Sequence, residues 1–110
     1  MIEETISEIE AKISGAETVN PERRRELLQL LATLKTEVAR LSKTNEEQAD
    51  SIAGFAKLST HEAMRSEQNP ELRELSLRGL RSSVEDLEKS HPRLTQIVNR
   101  FSKMLSDWGI

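Results

Sequence analysis

Two short stretches set a histidine near a carboxylate, the minimum needed for metal-assisted or general acid–base chemistry. In His61-Glu62-Ala63-Met64-Arg65 the first two residues match the opening of the zinc-protease helix motif, a metal-binding histidine followed by a glutamate that activates water. That motif needs a second histidine one helical turn on, and Arg65 stands there instead. His61 therefore reads as a polar bend residue beside an acid. Glu88-Lys89-Ser90-His91 has the Glu-x-x-His spacing of di-iron bundles, in which both ligands leave one face of a helix. One chain carries one copy. A second chain would supply the other, but the seam around Leu87 and Leu94 adds no inward carboxylate, so His91 also reads as a kink or cap residue. Arg23-Arg24-Arg25 lies near a helix start, where backbone N–H groups also attract anions. It is either a phosphate site or, with Glu22 and Glu26 alongside, a solvated charged face.

The chain holds only two histidines, and it has no glycine-flanked serine elbow and no glycine-rich phosphate loop. We assign no catalytic residue, cofactor or metal site, and expect a protein that is not an enzyme. The alternative left open is a carboxylate and histidine metal-binding bundle enzyme using Glu88 and His91 with carboxylates from a second chain.

The elements that would position such residues follow from composition and periodicity. With 110 residues, 35% hydrophobic and 32% charged, the sequence has the balance of one folded domain with a thin core. Tyr is absent, Trp occurs once and Phe twice, so Leu, Ile, Val and Ala must fill that core, which suits helices and argues against a β-sandwich. A net charge of −3 with both signs interspersed provides no broad positive field, so nucleic acid is not an expected partner. The lack of cysteine removes disulfides, thiol chemistry and thiolate metal sites. Met1-Ile2-Glu3-Glu4 does not resemble a signal peptide, and no run approaches the roughly 18 apolar residues that span a bilayer. A cytoplasmic protein is expected.

Ile2, Ile6, Ile9 and Ile13 form one stripe of a first helix over about residues 2–14, ended by Gly15. Asn20-Pro21 supplies an N-cap and a proline at the first helical position, starting a second helix. Leu27, Leu31, Leu34, Val38 and Leu41 then alternate four and three apart, a coiled-coil rhythm that Leu28 and Leu30 widen in the first turns. Carried forward, this register puts Asn45 and Gln48 where apolar residues belong, before Ile52 and Phe55 restore it. Either a polar layer interrupts one long helix, or Thr44-Asn45-Glu46-Glu47 caps a new one. Since neither Gly nor Pro occurs between Pro21 and Gly54, we favour a continuous helix over about 21–58, with Gly54 near its fraying end.

Residues 59–69 are polar and aperiodic and read as a bend, after which Asn69-Pro70 repeats the start signal. The longest seam follows: Leu77, Leu80, Val84, Leu87, His91, Leu94, Val98, Phe101, Leu105 and Trp108. Pro92 should kink or break it into helices over about 70–90 and 92–108, with Ser90 or His91 as cap and Gly109 as a left-handed terminus. At about 1.5 Å per residue, the spans from Pro21 to Leu58 and from Pro70 to Trp108 are each roughly 57 to 58 Å long. Matched lengths predict an elongated, coiled-coil-like antiparallel hairpin, with the first helix across its open end beside the C-terminal segment. A lone hairpin leaves the second sides of its broad stripes in water, so we expect a homodimer or higher homo-oligomer that completes a helical bundle.

Ser90-His91-Pro92-Arg93-Leu94 opening a last amphipathic helix, with Gly109-Ile110 as terminus, resembles a family of short bacterial proteins catalogued only as a domain of unknown function. Asn20-Pro21-Glu22 followed by Arg25-Glu26-Leu27-Leu28 is similar to that family's second helix. The resemblance covers most of the chain outside its middle, and implies a small bacterial helical protein without an assigned activity. The chain departs from that pattern in a longer Thr44–Asn69 stretch and in Trp108, where methionine is more usual.

The leading functional expectation is a helical homo-oligomeric interaction or scaffold module. Its packing surface would comprise Leu34, Val38, Leu41, Ile52, Phe55, Leu80, Val84, Leu87, Leu94, Val98, Phe101, Leu105 and Trp108. An unidentified protein is the other partner to expect. A third reading makes residues 92–108 an amphipathic dock for a partner or a membrane surface. The mixed charges on its polar side disfavour the membrane.

Overall fold

A computed structural model describes residues 2–16 and 20–108. Five α-helices follow in order: α1 (Ile2–Ser14), α2 (Pro21–Ser42), α3 (Glu46–Ala63), α4 (Pro70–Ser82) and α5 (Pro92–Ser106), with a single 3-10 turn at Glu85–Leu87 before α5. The fold is all-α, a helical bundle with no strand among the described residues.

The caps at the two Asn-Pro steps form as the sequence predicts. Asn20 Oδ1 accepts the Glu22 N–H at 2.8 Å and Asn69 Oδ1 accepts the Leu72 N–H at 3.1 Å, each with proline opening the helix. At Pro92 the expected kink is a full break. His91 takes the N-cap position of α5 with φ −137° and ψ 65°, the non-helical backbone that a following proline imposes, but makes no side-chain cap. The 70–90 helix is accordingly shorter than predicted, ending at Ser82. Helix α5 ends at Ser106, and the expected cap at Gly109 lies outside the described residues.

The continuous 21–58 helix does not exist. Helix α2 stops at Ser42, and Asn45 caps α3 by accepting the Gln48 N–H at 3.2 Å while its own amide donates to Gln48 Oε1 at 2.9 Å. The first bond satisfies a helix-end N–H that water would otherwise take and the second joins the two side chains, so the two polar residues start a new helix instead of forming a polar layer. Gln48 also donates to Asp86 Oδ1 at 2.8 Å, tying the break to the 3-10 turn. Helix α3 then runs through Gly54 to Ala63, so 59–63 is helical and the bend shrinks to 64–69.

Breaking the long helix changes the shape. The molecule measures 38 × 25 × 22 Å, shorter than either arm of the predicted hairpin. Helix α3 touches each of the other four α-helices. Apart from Ile52 and Glu62 its buried positions are small, Ala49, Ala53, Ala56, Ser59, Thr60 and Ala63, which lets neighbours approach its backbone closely. Leu, Ile and Val from the surrounding helices supply the bulk. Helix α1 packs on α2 and α3, burying Ile6, Ile9 and Ile13, and is not stacked beside α5 as expected.

Candidate interaction surface

The surface expected for a second chain is the interior of this one. Leu34, Val38, Leu41, Ile52, Leu80, Val84, Leu87, Leu94, Val98, Phe101 and Leu105 are all buried in the core. Trp108 is half-buried against it, and of the expected set only Phe55 is open. The physical reason is the break at Asn45. Folding α3 back onto α2 gives each broad stripe the second neighbour that a straight hairpin could not, so the chain covers its own apolar faces. The same holds for α5 as an independent dock, since Leu94, Ile97, Val98, Phe101 and Leu105 face the core.

Among the described residues the large hydrophobic side chains that remain exposed are Phe55 (37%), Leu58 (45%), Leu72 (42%) and Leu75 (60%). All four lie on α3 and α4, a pair of neighbouring helices joined at Ser59, whose Oγ donates to the Ser76 carbonyl at 3.0 Å. This bond is buried and marks a close approach of the two backbones. One turn further along α4, Gly79 continues that approach. A Cβ there would stand 2.4 Å from the Phe55 ring, so the missing side chain is the seat of Phe55. Leu72, Leu75 and Gly79 recur three and four apart, which puts them on one side of α4, and the Phe55 ring over Gly79 carries this apolar side onto α3. The outer ridge of α4 around Leu75 is lined by Pro70, Glu71, Glu74 and Arg78.

Leu58, Leu72 and Leu75 were absent from the sequence-derived surface. The signal that identifies two of them lies in α4 itself, whose leucines fall in two phases: Leu77 and Leu80 on the core side, Leu72 and Leu75 off it. Following one seam alone hides the second phase.

The two histidines considered for chemistry lie in separate places, His61 beside Leu58 and His91 in the turn before α5. His61 sits in a groove of about 310 Å³ between α1 and α3, with Glu8, Lys12, Lys57 and Leu58 among its walls. Its charged groups pair across the groove: Lys57 Nζ lies 2.6 Å from Glu8 Oε2, and Lys12 Nζ donates to His61 Nδ1 at 3.1 Å. These contacts fasten α1 to α3. Glu62, buried beside His61, is engaged by Arg65 Nη1 at 3.0 Å. Glu88 lies exposed in the turn after the 3-10 segment, so the shared helix face that the Glu88 and His91 spacing presupposed is not formed. His91 Nδ1 lies 3.1 Å from Ser90 Oγ. Among the described residues no group of three or more His, Asp or Glu side chains stands where it could hold a metal ion. In the arginine trio, Arg23 donates to the Asp107 carbonyl at 3.3 Å and Arg24 to the Ala16 carbonyl at 3.1 Å, so two of the three guanidinium groups tie helix ends together.

A family model described as a domain of unknown function (DUF4404) matches residues 27–110. The chain belongs to that family. No curated protein and no solved structure matches it. The DUF4404 match takes in most of α2 and all of α3, α4 and α5, and therefore the whole exposed apolar face. Helix α1 precedes the matched residues, and so does the Asn20-Pro21-Glu22 part of the resemblance noted from the sequence. DUF4404 membership carries no assigned biochemical function.

Proposed function

We propose that this protein is a cytoplasmic, non-enzymatic helical interaction module that docks another protein surface through the outer face of α3 and α4. The observation that carries this reading is the concentration of every exposed large hydrophobic side chain among the described residues onto one helix pair. Scattered leucines need no explanation, whereas large apolar side chains gathered on one helix pair, with charges beside them, mark a surface that a partner would cover. The border supports a protein partner. Glu71 and Glu74 stand beside Leu75 with Arg78 and Arg81 further along the same helix, a mixture that repels a polyanion or an acidic membrane at one end as much as it attracts at the other. The cytoplasmic assignment draws on the cysteine-free composition and on the fact that no helix among the described residues is long and apolar enough to cross a membrane.

Photo-crosslinking inside cells tests the reading. A photoreactive side chain placed at Leu75 should give discrete protein adducts, while the same group at the exposed Lys103 of α5 should give none above background. Equal labelling from both positions would sink it.

A further inference from the structure

The exposed charges on α4 are segregated along its length, acidic at Glu71 and Glu74, basic at Arg78 and Arg81, with Leu75 between the two groups. Arg73, between the two acids in sequence, is half-buried and donates to the Ser106 carbonyl at 2.9 Å. We propose that the partner of this face is a second copy of the chain, paired through α4 against α4 in antiparallel orientation about a two-fold axis close to Leu75. The proposal deepens the interaction-module reading and rests on it.

Reversing α4 about a point near its middle exchanges its ends. At about 1.5 Å per residue, Glu71 lies roughly 6 Å before Leu75 and Arg78 roughly 4.5 Å after it, so in the reversed copy each falls opposite the other's counterpart. Glu74, about 1.5 Å before Leu75, then falls within about 3 Å along the axis of the other copy's Arg78, and Arg81, about 9 Å after it, within about 3 Å of the other copy's Glu71. A parallel pairing would set carboxylate against carboxylate and guanidinium against guanidinium, so the pattern selects one direction. The same patch then serves both copies, as a two-fold interface requires.

Two further observations fit this arrangement. Among the described residues Glu71 and Arg78 make no side-chain ion pair or hydrogen bond, while Glu74 and Arg81 make a single loose one at 3.4 Å, with both side chains about half exposed. The side chain at the centre, Leu75, is also the most exposed large hydrophobic residue among those described, at 60%. Pairing would cover Leu75 against its symmetry mate, and Leu72 and Phe55 would extend the contact toward α3. Ion pairs on the rim of such a contact contribute mainly orientation and rate, and burial of the leucines contributes affinity.

Complementary charge reversal tests the proposal on the full chain, with mass read by sedimentation equilibrium and helix content by circular dichroism. The wild type should reach twice 12.5 kDa at micromolar concentration. Either E71R/E74R or R78E/R81E alone should remain at the single-chain mass with unchanged helix content, its self-association weakened by about a hundredfold or more, because each contact becomes a like-charge pair. An equimolar mixture of the two variants should restore the double mass. Leu75→Glu should also give the single-chain mass, without rescue on mixing. A wild type that stays at 12.5 kDa up to about 100 µM, variants that associate as the wild type does, or a mixture that fails to pair would each overturn it. If the chain is a single copy in solution yet Leu75 still crosslinks a different protein in cells, self-pairing fails and the interaction module stands.

Discussion

Helices α4 and α5 begin alike and end up in opposite company. Each opens on a proline and each is strongly amphipathic. Helix α5 places most of its apolar face, Leu94, Ile97, Val98, Phe101 and Leu105, inside the molecule, with Met104 half-buried against the core. Helix α4 buries Leu77 and Leu80 but turns Leu72 and Leu75 outward. Amphipathicity alone therefore says that a face must be covered, and not what covers it. In α5 the cover is this chain's own α2, α3 and α4. In α4 only one of two apolar phases has found a neighbour.

Substitutions on the two helices should separate these cases, beginning with the largest effect. Phe101→Ala removes a fully buried ring on α5 and should cost about 3 to 5 kcal/mol by chemical denaturation. If the loss is under about 1 kcal/mol, α5 is not the packed helix described here. The helix starts differ next. Asn69→Ala deletes a side-chain cap on α4 and should cost about 1 kcal/mol, whereas His91→Ala, at a position with no cap bond, should cost under about 0.5 kcal/mol. Equal losses would mean that the proline, and not the cap, starts both helices.

Ser102 runs the other way. Its hydroxyl is buried in α5 without a hydrogen-bond partner among the described residues, and desolvating an unpaired polar group is unfavourable. Ser102→Ala should raise stability by about 1 kcal/mol, and a clear loss would show that the hydroxyl has found a partner after all. The smallest effect belongs to Leu75→Ala on α4. At dilutions where the chain is a single copy it should change stability by less than about 0.5 kcal/mol, because that side chain already faces water. A loss matching that of Phe101→Ala would erase the distinction between the two helices.

Much of the fold was legible in the sequence because periodicity and capping are local. The isoleucine stripe of α1, both Asn-Pro starts and the break at Pro92 need no tertiary information, since each follows from 3.6-residue repetition or from the chemistry of one side chain. Asn45 and Gln48 were harder. Two polar residues in a heptad seam read equally as a buried layer or as a cap, and the absence of Gly or Pro favoured the wrong one. The distant Asp86 accepts a hydrogen bond from the Gln48 side chain and so supports the break, and no local pattern contains that contact. The candidate surface was misplaced for the same reason. Whether Leu34 or Leu72 faces solvent depends on how many helices surround α2 and α4, and that number changed when the long helix broke in two.

The break at Asn45 also limits the distance over which the protein can act. An unbroken arm of about 57 Å would have been a strut, able to hold two bodies well apart. A block whose longest side is 38 Å has no such reach. On the proposed reading, a partner seated on its flank would lie within about a helix diameter of the rest of the molecule, held close where a strut would have kept it away.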